Sequence, residues 1–182
     1  MFALTQRLLL RPGWAEDGPA LARAIGEEAI VRNLAQVPWP YTIDHARQFL
    51  GRERRPGEIS LLIVLRSGGD PIGSVGIHPT PDGGRVLGYW LARPFWGRGI
   101  ATEAGRAAIV LARDALRLRR IEASCFVDNP ASRRVLDKLG FRPAGPVVPR
   151  FSAGRGGEAQ CALLALDLEG DAEGLTGAAM AA

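Results

Sequence analysis

Gly88-Tyr-Trp-Leu-Ala-Arg-Pro-Phe-Trp-Gly-Arg-Gly-Ile-Ala-Thr-Glu-Ala104 reads as a strand that passes through a glycine turn directly into a helix. Such a junction is suited to anions. Backbone N–H groups at a helix start lack intrahelical partners and carry the positive end of the macrodipole, and Gly97 and Gly99 remove side chains that would keep a phosphate away. An ordinary strand-to-helix turn is the alternative reading of the same residues. A Walker A loop requires Lys-Ser/Thr after its last glycine, where this chain has Ile100-Ala101. A dinucleotide fingerprint requires a third small residue, where this chain has Thr102.

Outward from the turn, the pattern on the N-terminal side is a meander. Strands are expected over 59–66, 71–78 and 85–91, separated by Ser67-Gly-Gly-Asp70 and Pro81-Asp-Gly-Gly84, connections short enough to demand antiparallel neighbours. Earlier still come a strand over 5–11, a helix over 17–34 interrupted near Gly26, and a short helix after Thr42, a good N-cap. On the C-terminal side, Ile100, Ala104, Ala107, Ala108, Leu111 and Ala115 share one face of a helix running to about Leu116. The strand after it, 121–127, returns across that helix, so it is expected to lie parallel to a meander strand. A last helix is punctuated by Asn129 as N-cap, Pro130 in the first turn and Gly140 at the end, with Ala131, Val135 and Leu139 expected inward. Final strands are expected over 141–148 and 158–168, joined by a loop over 149–157. Residues 1–169 form one expected domain, and 170–182, rich in Ala and Gly, an expected mobile tail.

The glycine turn resembles the acetyl-CoA motif of the GNAT superfamily, Gln/Arg-x-x-Gly-x-Gly/Ala, read as Trp96-Gly97-Arg98-Gly99-Ile100-Ala101 with Trp96 in place of the usual Gln or Arg. Trp-Gly-x-Gly-x-Ala-Thr-Glu-Ala after Gly-Tyr-Trp-Leu is similar to the branch containing the ribosomal-protein-alanine N-acetyltransferases. A second block agrees: Ile121-Glu-Ala-Ser-Cys-Phe-Val-Asp-Asn-Pro-Ala-Ser-Arg-Arg-Val-Leu-Asp-Lys-Leu-Gly-Phe141 resembles that branch's Asn-x-x-Ser…Lys-Leu-Gly-Phe segment.

The resemblance implies an α/β (α+β) fold with a central mixed, mostly antiparallel, splayed sheet and helices on both faces. It implies direct transfer of acetyl from acetyl-CoA, the co-substrate, to a primary amine, with no metal. By the same resemblance, backbone around Leu91 pairs with pantetheine, N–H groups across Gly97, Arg98, Gly99, Ile100, Ala101 and Thr102 hold the pyrophosphate, and Asn129 approaches the thioester, though Asn129 is equally an adequate N-cap. Many superfamily members carry a Tyr acid where this chain has Leu136. Ser132 is the expected substitute, with bound water as the alternative. Many carry a Glu base where this chain has Val86. His78, Glu103 and Glu122 remain as titratable groups, of which His78 is the candidate catalytic one, with a structural role at the strand end as the alternative reading. Trp39 and Tyr41 fall where the superfamily places the acceptor wall, or they pack the short helices.

Composition constrains the rest. A chain of 182 residues with 47% hydrophobic and 23% charged residues can bury a core and lacks the signature of disorder. Two cysteines, Cys125 and Cys161, lie in apolar runs without metal-ligand spacing and are expected to be buried thiols. No run reaches the roughly 18 apolar residues of a membrane span, so the expected place is the cytoplasm. The net charge of +4 comes from scattered arginines, since Lys138 is the only lysine, and no nucleic-acid partner is expected. The expected partners are acetyl-CoA and an amine acceptor, a peptide N-terminus or small molecule, bound to a monomer or homodimer. A protein that binds acyl-CoA without catalysis, or a basic RNA-associated protein, would be the contrasting classes. Turnover of an amine separates the first, and salt-resistant retention on nucleic acid the second.

Overall fold

The structure, a computed structural model, describes residues 1–168; the expected tail over 170–182 lies outside the described residues. Among them are nine strands and five α-helices. In chain order they are β1 (Ala3–Leu4), β2 (Leu8–Arg11), α1 (Gly18–Ile25), α2 (Glu28–Val31), α3 (Ile43–Gly51), β3 (Ile59–Leu65), β4 (Gly73–Pro79), β5 (Arg85–Leu91), α4 (Ile100–Asp114), β6 (Arg120–Phe126), α5 (Pro130–Lys138), β7 (Arg142–Pro143), β8 (Val148–Ser152) and β9 (Gly157–Asp167). The strands form one sheet in the order β1-β2-β3-β4-β5-β6-β9-β7, with β8 also on β9.

The run Ile59-Ser-Leu-Leu-Ile-Val-Leu65 makes β3 a central strand buried on both faces. Alternation then divides the core. Leu61 and Ile63 point to one face with Ala104, Ala108 and Ile109 of α4 and Leu136 of α5, whereas Leu62 points to the other, against Leu21 of α1 and Ala46 of α3. Every strand pairing is antiparallel except β5 with β6, which α4 connects as a crossover.

That parallel pairing positions the site. It holds only at Val86↔Glu122 and Leu87↔Ala123. Beyond it β5 stays on β4 as far as Leu91, while β6 stays on β9 as far as Phe126, so the two halves of the sheet splay apart from Gly88 onward.

Three local expectations are corrected. The strand over 5–11 is a tight hairpin, because the Thr5 hydroxyl accepts from Leu8 N (3.0 Å) and Thr5 N donates to the Leu8 carbonyl (2.9 Å). The loop over 149–157 is largely strand: β8 pairs with β9 from Val148↔Cys161 to Ser152↔Gly157, and its end is anchored by Ser152 Oγ donating to the Leu34 carbonyl (2.8 Å). The core residue of α5 is Leu136, joined by the expected Leu139 just after the helix. Ala131 is exposed and Val135 half-buried, because their strip of the helix faces the gap in the sheet.

Candidate active site

A cleft of about 340 Å³ occupies the splay. Its walls are the end of β5, the 93–99 turn with the start of α4, the exposed strip of α5, and Ile30, Asn33 and Leu34 from α2 and the segment after it. Ala92 N donates to the Ile72 carbonyl (2.9 Å), so by the alternation of an antiparallel ladder the next pair, Gly73↔Leu91, is of the non-bonded kind. Leu91, and Tyr89 two residues before it, therefore turn their N–H and carbonyl groups away from β4, toward the gap.

The turn is built by glycine. Gly97 and Gly99 have φ of +73° and +74°, in the left-handed region, and Gly99 is the N-cap of α4. A Cβ on Gly97 would meet no protein atom within 4 Å, which leaves an open cradle beside the helix N-terminus. Two braces hold the turn. The Trp96 indole N–H donates to the Leu91 carbonyl (2.7 Å). Arg7 reaches in from β2's leading edge: its Nη1 donates to the Arg98 carbonyl (2.9 Å) and its Nε to Glu103 Oε2 (2.7 Å). Glu103 also accepts from Thr5 Oγ1 and from Arg7 N, and these cationic and hydrogen-bonding partners hold its carboxyl below the usual range despite burial.

On the opposite wall, Asn129 Oδ1 accepts from Ser132 N (3.1 Å) and so caps α5, while Asn129 itself lines the cleft. The Ser132 hydroxyl lies 2.8 Å from the Tyr89 phenol oxygen, which is also 3.2 Å from the Ser132 carbonyl. Burial pushes the Tyr89 phenol up to about 12, so it stays protonated. Arg134 and Lys138, four residues apart, present two cations on the α5 side of the cleft. A second, more polar recess adjoins this end through the shared residues Asn33, Trp96 and Asn129, and adds Glu28, Arg32 and Asp128. Asp128 is held by Arg155 at 2.7 and 2.8 Å.

This geometry brings together Leu91, Gly97, Gly99, Ile100, Ala101, Thr102, Asn129 and Ser132 from the residues singled out in the sequence. Arg98 contributes its braced carbonyl and places its guanidinium 5.8 Å from the Phe95 ring rather than on the cleft lining. His78 is elsewhere: it pairs with Val86 in the ladder, and its Nδ1 is 3.1 Å from the buried Glu58 carboxylate. Its pKa is lowered, chiefly by desolvation. Tyr41 lies outside the lining and packs against the Leu21, Ala46 and Leu62 cluster, and Trp39 is exposed outside the lining. Tyr89, Asn33, Arg134 and Lys138 were not picked from the sequence. Tyr89 enters the sequence reading only as part of the Gly-Tyr-Trp-Leu motif, and Arg134 is indistinguishable in sequence from Arg133, which pairs with Asp137.

A parallel pair that opens into a cleft, next to a glycine turn at a helix N-terminus, is matched by a family: the Acetyltransferase (GNAT) domain matches residues 7–142. The chain belongs to the GNAT acetyltransferase family. It is similar to the uncharacterised N-acetyltransferase YoaA of Bacillus subtilis, 29% identical over 148 residues, 78% of this chain and 82% of that one. The L-amino acid N-acetyltransferase AaaT of Escherichia coli is 29% identical over 145 residues, 76% and 85% of the two chains. Among solved structures, RimL, a ribosomal L7/L12 alpha-N-protein acetyltransferase in complex with coenzyme A, superposes with a TM-score of 0.76 at 20% identity, covering 94% of this chain and all of that one. This GNAT protein is an acetyl-CoA-dependent N-acetyltransferase. Among the described residues there is no group able to hold a metal ion, and no helix long and apolar enough to cross a membrane.

Proposed function

We propose that this enzyme acetylates the α-amine at the N-terminus of a peptide, with the transfer taking place between Tyr89 of β5 and Ser132 of α5. The observation that carries the choice of acceptor is the chemistry of the cleft lining. It offers hydroxyls, an amide, backbone N–H groups and two cations, but among the described residues that line it there is no carboxylate and no imidazole. A cleft without a base selects amines that are already neutral. The α-amine at a peptide N-terminus, with a reference pKa of about 7.7–8.0 against about 10.4 for lysine, has on the order of hundreds of times more neutral form at pH 7. The name of RimL, an alpha-N-protein acetyltransferase, agrees with this class.

In this reading the N–H groups from Gly97 to Thr102 take the pyrophosphate, with the positive end of α4 behind them. Arg134 and Lys138 supply positive charge from the facing wall. The open backbone edge at Tyr89 and Leu91 pairs with pantetheine, as a strand would. Neutral amine attacks the thioester carbonyl, the C–N bond forms, the C–S bond breaks, Ser132 gives the thiolate its proton, and solvent takes the proton lost by the acylated nitrogen and returns one to the protein. Asn129 keeps Ser132 in place through the helix cap. Asn33, on the cleft lining, stands where the acceptor would enter.

Thiol release measured with acetyl-CoA and a panel of peptides, amino acids, polyamines and aminoglycosides tests the proposal. Peptides with a free α-amine are expected to give the highest kcat/KM, and N-terminally blocked, lysine-containing peptides a small fraction of it. A polyamine, aminoglycoside or amino acid turned over best would overturn the assignment.

A further inference from the structure

We propose that Tyr89 is a positioning residue in the proton path: its phenol aims the Ser132 hydroxyl at the cleft and replaces the proton that Ser132 gives away. This rests on the assignment of Ser132 as the donor to the thiolate.

The geometry allows two arrangements of one hydrogen-bonded pair. The phenol oxygen is 2.8 Å from Ser132 Oγ and 3.2 Å from the Ser132 carbonyl, and a phenol has one hydrogen to give. If that hydrogen goes to the carbonyl, the serine hydroxyl must donate to Tyr89 and cannot donate into the cleft. If it goes to Oγ, the serine hydrogen is released to point at the cleft, which Tyr89 and Ser132 both line. Tyr89 thus sets which way the donor faces. The pair also spans the splay, joining the last turns of β5 to the first turn of α5.

Acid strength gives the second half of the argument. A serine hydroxyl alone is about as weak an acid as water, and would be left as an alkoxide by protonating a thiolate whose thiol has a pKa of about 8.5. A phenol is a far stronger acid than an alcohol, even where burial raises it to about 12. Passing the charge on to Tyr89 therefore removes the alkoxide. The step balances. The amine nitrogen bonds to the acetyl carbon, the C–S bond gives its electron pair to sulfur, Ser132 Oγ–H passes to sulfur, and Tyr89 Oη–H passes to Ser132. The resulting phenolate regains a proton from water, which receives the one lost by the acylated nitrogen.

The test compares wild type, Tyr89→Phe, Ser132→Ala and the double variant, using a peptide that the wild type acetylates. Phe keeps the ring and its packing. Tyr89→Phe is expected to lower kcat by roughly tenfold or more while the KM for acetyl-CoA stays within about threefold, and the double variant to be no slower than Ser132→Ala by more than about threefold. A merely structural role would not change the number of protons in flight. In mixtures of light and heavy water the dependence of kcat on deuterium fraction should be bowed in wild type and linear in Tyr89→Phe. Full kcat in Tyr89→Phe with a slow Ser132→Ala would overturn the relay and leave the serine assignment standing. Full kcat in Ser132→Ala would overturn both, and a wild type that transfers no acetyl to any α-amine would overturn the acceptor assignment itself.

Discussion

Single residues decide whether this cleft binds anything. Gly99 holds φ +74°, and a Cβ there would meet only the Arg7 guanidinium at 3.7 Å, so the protein has room for a side chain but the backbone conformation does not suit one. Gly99 also lines the cleft, so a side chain there would add bulk to its wall. Gly99→Ala is expected to cost about 1–2 kcal/mol of stability through left-handed strain and to weaken acetyl-CoA binding about tenfold or more, ~1.4 kcal/mol. Thermal unfolding and calorimetric titration measure the two effects separately, and unchanged affinity in a folded variant would contradict the phosphate assignment. Trp96 shows what sequence could and could not supply at this scale. It stood out as a departure from the usual Gln or Arg, but its bond to the Leu91 carbonyl became visible only when the turn folded back on the strand.

At the scale of elements, what was legible followed from local rules. Arg85–Leu91 was expected to the residue, and so was Asn129 as the cap of α5, because turn glycines and cap residues act within four positions of themselves. Helix phase relative to a distant gap is not local. Ala131 and Val135 looked inward by apolarity, yet they line the cleft while Leu136 takes the core at 1% exposure. The segment between α3 and β3 makes a further case. Glu58 is buried with Arg52 and His78 around it, and it also accepts from Arg55 N. Burial opposes its charge, but Arg52 and the backbone N–H outweigh that and pull its pKa from 4.5 down to about 2. A depressed carboxylate contributes stability above its unfolded pKa and loses it as pH falls through the folded one. The wild type is therefore expected to exceed Glu58→Gln in thermal midpoint at pH 7, with the difference shrinking between pH 4.5 and about 2. Melting curves across that range check it, and a difference independent of pH would show that the carboxylate's charge is not what matters.

For the molecule as a whole, function comes from an interrupted pairing. Two residue pairs join β5 to β6, after which one half of the sheet follows β4 and the other follows β9. The crossover could be read from the sequence, because the α4 pattern separates two strands. The divergence was expected only from family resemblance, since no residue in either strand encodes by itself the point where pairing stops. What fills the opening is a lining rich in donors and poor in bases, with Tyr89 and Ser132 meeting across it. The central claim is that this opening acetylates amines that are neutral without help. The most direct test is one peptide carrying both a free N-terminus and an internal lysine, incubated with the enzyme and acetyl-CoA at pH 7 and then mapped by fragmentation mass spectrometry. The account predicts a single acetyl group on the N-terminal amine with the lysine unmodified; acetylation of the lysine with the N-terminus left free would contradict it.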